Sequence, residues 1–170
     1  GDRSPWLHRF DEGAFLSVET CRAHPLSSGL IPSGELNRAS QCLAKAEDQF
    51  VFLCIHYPVR SRQGEPYGPR SRALSNATEL ENFVDEHTQI SAILHGHEHH
   101  GFQTQLRLRS RPVTILNPGA TGYAHLPERD RTAHLNIYEV DRAGISSLRR
   151  LRFNGQQFED EPGGAYATGR

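Results

Sequence analysis

Two short apolar runs constrain this chain more than any other feature. Phe50–Ile55 (FVFLCI) and Ile90–Leu94 (ISAIL) are nearly continuous in apolar residues, the pattern of strands buried on both faces. Between them, Thr78–Thr88 places Leu80, Phe83, Val84 and His87 on one side of a helix. Ahead of them, Ala14–Thr20 (AFLSVET) alternates like a strand, and Ser33–Asp48 reads as a helix. Ser33 is positioned to cap that helix, Glu35 sits in its first turn, and Leu36, Ala39, Leu43 and Ala46 recur at helical spacing. Strand, helix, strand, helix, strand implies parallel strands in a layered α/β sheet.

After Gly101 the pattern changes. Gln103–Arg109, Pro112–Leu116, Ala133–Val140 and Ser146–Arg152 read as successive strands joined by short turns, without helices between them. Residues 59–76 show no periodicity, and a loop of that length inside a compact domain is either functional or disordered. The 170-residue length suits one domain, expected to span 1–153, and the Gly-rich polar stretch 154–170 is expected to be a loose tail.

The formal net charge of −1 argues against a nucleic-acid or membrane partner recognised by bulk charge. No apolar run is long enough to span a bilayer, and no signal-like segment is present. Lys45 is the single lysine, and no glycine-rich loop precedes it, so there is no phosphate-cradling nucleotide loop. Cys21, Cys42 and Cys54 lack zinc-ribbon or redox spacing, which fits a reducing compartment and a cytoplasmic location. The chain contains no methionine, the expectation being a processed protein or a piece of a longer one.

Ligands of open α/β sheets collect at the carboxyl ends of the strands. Three polar segments fall there: His56 after one strand, Gly96-His97-Glu98-His99 after the next, and Asn117-Pro118-Gly119-Ala120 after a later one. Imidazole is the commonest metal ligand among side chains, and His97 and His99, two residues apart, can serve a single metal site. Arg60, Arg62, Arg70 and Arg72 follow His56 in the long loop, as phosphate contacts or as a solvated surface. His24, His100, His125 and His134 are read as surface residues or as neighbours of the site, and His95, two residues before His97, either flanks the site or belongs to it.

These segments resemble the C-terminal motifs of the calcineurin-like metallophosphoesterases. The family has a strand ending in His-x-Pro, a helix, a strand ending in Gly-His-x-His, and often Asn-Pro-Gly-Ser. The counterparts here are His56-Tyr57-Pro58, Gly96-His97-Glu98-His99 and Asn117-Pro118-Gly119-Ala120, with Gly34-Glu35-Leu36 also fitting the family's habit at the opening of the first helix. The resemblance covers roughly residues 14–140. It implies a layered α/β/β/α sandwich of which this chain supplies the C-terminal half. It makes His56 and His97 ligands of one metal and His99 a ligand of the other. It also implies two divalent cations (Mn, Fe or Zn) and hydrolysis of a phosphodiester or phosphomonoester by a metal-activated water. The expected substrate is a small phosphoester, with a soluble nucleotide or cyclic nucleotide the preferred class.

The family's N-terminal ligand motifs are Asp-x-His, Gly-Asp-x-x-Asp and Gly-Asn-His-Asp or Glu. None has a counterpart in place. Gly1-Asp2 begins the second motif only by its letters, and Asp85-Glu86-His87 spells the first within a helix. No catalytic residue is therefore assigned in this chain, the substrate-binding residues are open, and the missing N-terminal half of the same domain is the expected partner. Two other readings stay open. One is a non-catalytic half-domain that binds metal or a partner. The other is a metallo-β-lactamase-fold hydrolase, for which His95-Gly96-His97-Glu98-His99-His100 matches the signature except that His99 replaces a ligand aspartate.

Overall fold

The computed structural model describes residues 4–22, 27–46 and 49–166. Among these residues nine strands and two α-helices follow one another as β1 Trp6–Arg9, β2 Gly13–Ser17, α1 Glu35–Leu43, β3 Phe50–Ile55, α2 Ala77–Glu86, β4 Ile90–His95, β5 Phe102–Arg107, β6 Pro112–Asn117, β7 His134–Asp141, β8 Gly144–Phe153 and β9 Phe158–Asp160. The first six strands form one sheet in the order β1-β2-β3-β4-β6-β5, and the last three form a second. Strands β2, β3, β4 and β6 are parallel, while β1 and β5 close the two edges antiparallel. The fold is mixed α/β, as the alternation of apolar runs and helical periods requires.

Strand β3 explains why its sequence is apolar throughout. Its odd-numbered residues Val51, Leu53 and Ile55 join Leu16, Ile93 and Ile115 beneath Ala39 and Leu43 of α1 and Leu80, Phe83 and Val84 of α2. Its even-numbered residues Phe50 and Phe52 face the other way, with Ala92, and Val140 and Ile145 of the second sheet pack against them. The result is three layers: helices, the six-stranded sheet, and the β7–β8 hairpin. Each face buries one side of a period-two alternation, and every methylene group so buried contributes about 0.8 kcal/mol.

Several expectations need adjusting. Helix α1 begins at Glu35, and its cap position is Gly34 at φ +75, with no side-chain cap, so Ser33 does not serve as one. Glu35 is buried, accepting hydrogen bonds from the Glu19 amide at 3.1 Å, from Arg38 at 2.5 Å and from the Ser4 hydroxyl. Helix α1 ends at Leu43 with Ala44 as its C-cap, short of the expected Asp48, while Glu47-Asp48, Gly1-Asp2 and His24 lie outside the described residues. The polar opening contains an edge strand, β1, too short to show periodicity.

Within the stretch 154–170 expected to be a loose tail, Phe158–Asp160 pairs with β8 as a third strand and Glu161 just beyond it is 3% exposed, while 167–170 lie outside the described residues. Residues 59–76 are also tied down. Arg60 bonds Glu81 at 2.5 Å, Leu74 bridges to Gly29, and Arg70–Arg72 makes one turn of 3-10 helix.

Register positions the site. Cys54 pairs with Leu94 and Ile55 with His95, while Leu94 pairs with Leu116. Strands β3, β4 and β6 therefore end level, and the segments that follow Ile55, His95 and Asn117 leave the sheet side by side.

Candidate functional site

His56 leaves β3 with its backbone amide donating to the Thr20 hydroxyl at 3.1 Å. Its ring lies against Gly96: a Cβ at that position would be 3.3 Å from His56 Nδ1, closer than ordinary packing. His97 follows, and the His56 and His97 rings approach to 5.3 Å between centroids, nearly perpendicular. Tyr57, buried, stacks at a tilt on the His97 ring at 4.5 Å.

His97 is held at φ +64, in the left-handed region that L-residues seldom enter outside turns and functional sites. Its Nε2 is buried without a hydrogen-bond partner. Burial is the main cause that lowers its proton affinity, reinforced by the neighbouring His56 and Arg72. The ring is thus neutral at physiological pH, with a lone pair available on one nitrogen.

The loop carrying these histidines is pinned from three sides. Asn117, fully buried at the end of β6, donates to the Glu98 carbonyl at 3.0 Å and to the Gly96 carbonyl at 3.4 Å, and accepts from the Gly119 amide at 2.8 Å. The Glu98 carboxylate accepts from the Tyr67 hydroxyl and pairs with Arg72 at 3.5 Å, fastening the long loop to the histidine loop. Burial and Glu98 together push the Tyr67 phenol up to about 12, so it stays a donor.

The third support is Arg150 of β8, which is 4% exposed. It binds both Glu161 oxygens, at 2.7 and 2.8 Å, and donates to the Pro118 carbonyl at 3.2 Å. A Cβ on Gly101 would come 2.8 Å from its Cζ, so only glycine lets the histidine loop close over this guanidinium.

The structure brings together two of the three expected ligands. His99 is exposed and its ring packs edge-on against Tyr123 at 5.4 Å, beside His100 at 5.7 Å from the same ring. Among the described residues, no group of three or more His, Cys, Asp or Glu side chains is placed to hold a metal ion. His56 and His97 fit such an ion as a pair, and the orphaned Nε2 of His97 is the observation that favours it.

The neighbouring histidines have other surroundings. His95 is buried against Phe102, bonded through Nδ1 to the Gly96 carbonyl at 2.9 Å, and burial pushes its pKa down to about 4. His125 packs on Phe153, and His134 lies 3.9 Å from Glu161. Asp85 and His87 serve α2: Asp85 accepts from the Ser110 amide and His87 contacts the Ser40 hydroxyl at 2.9 Å.

Sequence reasoning did not single out Tyr67, Tyr123, Arg150 or Glu161. Each acts through a partner distant along the chain, and no local spacing marks such a pair. Compared with known proteins, the chain matches no family model and no curated protein.

Proposed function

We propose that this chain supplies the C-terminal ligand motifs of a metal-dependent phosphoesterase of the calcineurin-like kind, acting on a small phosphoester of the nucleotide class. The observation that supports it most is the pair formed by His56 and His97. Their rings lie 5.3 Å apart at the level ends of two parallel strands, and the buried His97 Nε2 has no partner inside the protein. Two histidines do not complete a hydrolytic centre, so this reading calls for a carboxylate and further ligands from the N-terminal half that the resemblance implies. When bound, a divalent pair (Mn, Fe or Zn) supplies a water of lowered pKa and neutralises charge on the phosphate.

The chain's own residues orient and fix. Tyr57 stacks on His97, Asn117 holds the carbonyls of Gly96 and Glu98, and Tyr67 and Arg72 hold the Glu98 carboxylate. A cytoplasmic setting agrees with the three free cysteines. Among the described residues, no helix is long and apolar enough to cross a membrane.

The test is manganese and zinc binding by the chain, followed by phosphodiesterase and phosphomonoesterase assays in the same buffers. The expected result is metal binding that His56→Ala and His97→Ala each abolish, with little or no turnover. Binding indifferent to both substitutions would overturn the metal reading. Turnover near that of complete enzymes would overturn the incomplete site. In-frame Asp-x-His, Gly-Asp-x-x-Asp and Gly-Asn-His motifs in the coding DNA upstream would supply the missing ligands.

The absence of a three-ligand group among the described residues favours a second reading, a half-domain that binds metal or a partner without catalysis. Metal bound through His97 with unrelated sequence upstream would select it.

A further inference from the structure

A cavity of about 70 Å³ opens between the histidine loop and the second sheet, its walls including Arg62, His99, His100, Tyr123, Asp130 and His134. We propose that it binds a protonatable phosphate group, that of a phosphomonoester or of inorganic phosphate, with Arg62 as the cation that holds it. The assignment of this cavity to a substrate or product rests on the phosphoesterase reading; the binding site itself does not.

The four arginines of the long loop, alike in sequence, differ in their surroundings. Arg60 is occupied by Glu81 at 2.5 Å and by the Val59 carbonyl at 3.0 Å. Arg72 is paired with Glu98. Arg70 is exposed and does not line the cavity. Arg62 alone of the four lines the cavity, half-buried, and among the described residues no carboxylate or carbonyl accepts from it. A partly desolvated guanidinium with a full set of free donors matches the paired oxygens of a phosphate, and the charge-assisted bonds it makes are the stronger kind.

The other arginines of the wall, Arg150 and Arg152, are already engaged by Glu161 and Glu159. The space is large enough to admit a tetrahedral oxyanion.

Asp130 sharpens the chemistry. It shares the lining and makes no ion pair among the described residues. A carboxylate beside an anion site repels a fully ionised oxyanion but accepts a hydrogen bond from one that carries a proton. At neutral pH inorganic phosphate keeps an O–H in both of its ionised forms and a phosphomonoester keeps one in its monoanion, whereas sulfate has none. The pair Arg62 and Asp130 therefore selects phosphate over sulfate.

The test uses the metal-free chain, in the presence of a chelator, titrated at constant ionic strength with inorganic phosphate, glycerol phosphate and sulfate. Arginine Nε–Hε resonances report binding, and Arg62→Gln identifies the Arg62 signal by its loss. That signal should move saturably with phosphate and less with sulfate. Arg62→Gln should weaken phosphate binding about tenfold, the loss of one charge-assisted contact. Arg70→Gln should leave it unchanged, and Asp130→Asn should erase the preference over sulfate.

Tighter binding of glycerol phosphate would mark a substrate's monoester group, and tighter binding of inorganic phosphate would mark a released product; either upholds the site. Equal phosphate affinity in Arg62→Gln and the unaltered chain would overturn it, as would shifts that never saturate or do not distinguish phosphate from sulfate. Because metal and turnover play no part, failure here leaves the metal reading standing. Conversely, loss of the metal reading leaves this site intact.

Discussion

Replacing Glu161 by alanine tests whether the C-terminal segment is part of the fold and a support for the site. Arg150 and Glu161 are 4% and 3% exposed and joined by two bonds of 2.7 and 2.8 Å. Removing one partner of a buried pair strands the other charge, at a cost of about 3–5 kcal/mol. Among the described residues Arg150 would retain only the Pro118 carbonyl at 3.2 Å and the face of Tyr166 at 4.7 Å, neither of which neutralises it. In a domain whose whole stability is about 5–15 kcal/mol, that is a large fraction. The corresponding fall in melting temperature is about 10 °C for a chain of this size.

Urea unfolding at constant slope measures the loss directly. The double variant Arg150→Met with Glu161→Leu removes both charges, so it should be less destabilised than Glu161→Ala alone. A loss below about 1 kcal/mol in Glu161→Ala, the range of an exposed pair, would refute the reasoning. So would strict additivity of the two single substitutions.

Three further outcomes follow from the same geometry. Asn117→Ala deletes the three bonds that hold the Gly96–Gly119 region and should cost about 2–3 kcal/mol. It should also weaken zinc binding, and an unchanged urea midpoint would count against the role given to this residue. Burial depresses the proton affinity of His87, His95, His97 and His134, His95 to about 4. The unfolded chain therefore binds more protons below about pH 6.5, so stability is fully present above that value and falls as pH drops toward the folded values. A urea midpoint at about pH 5 equal to that at about pH 7.5 would contradict this. Burial also pushes the Cys54 thiol up to about 11, so iodoacetamide at mildly alkaline pH should modify exposed Cys21 well before Cys54; mass spectrometry of the labelled peptides reads the order.

Much of the frame is legible in the sequence because burial leaves a local record. Strand β3 spans the residues of its apolar run, β4 extends its run by one residue to His95, and α2 lies within a residue or two of its helical repeat. The α/β alternation and the arrival of His56, Gly96 and Asn117 at strand ends follow from those runs. The glycine before His97 was visible too, as a break in an apolar strand.

What only the tertiary structure decided are relations between distant residues. Edge strand β1 is stabilised by pairing with β2, and β9 by pairing with β8, and neither carries a periodic signal. The alignment of Ile55 with His95 sets the His56–His97 approach. The turning of His99 toward Tyr123, the choice of Arg62 among four arginines, and the burial of Glu161 against Arg150 depend on where remote segments come to rest. Periodicity reports which side chains leave water, a property each element expresses alone. An ion pair or a ring contact depends on the register and packing of two elements at once, and neither stretch of sequence contains that information by itself.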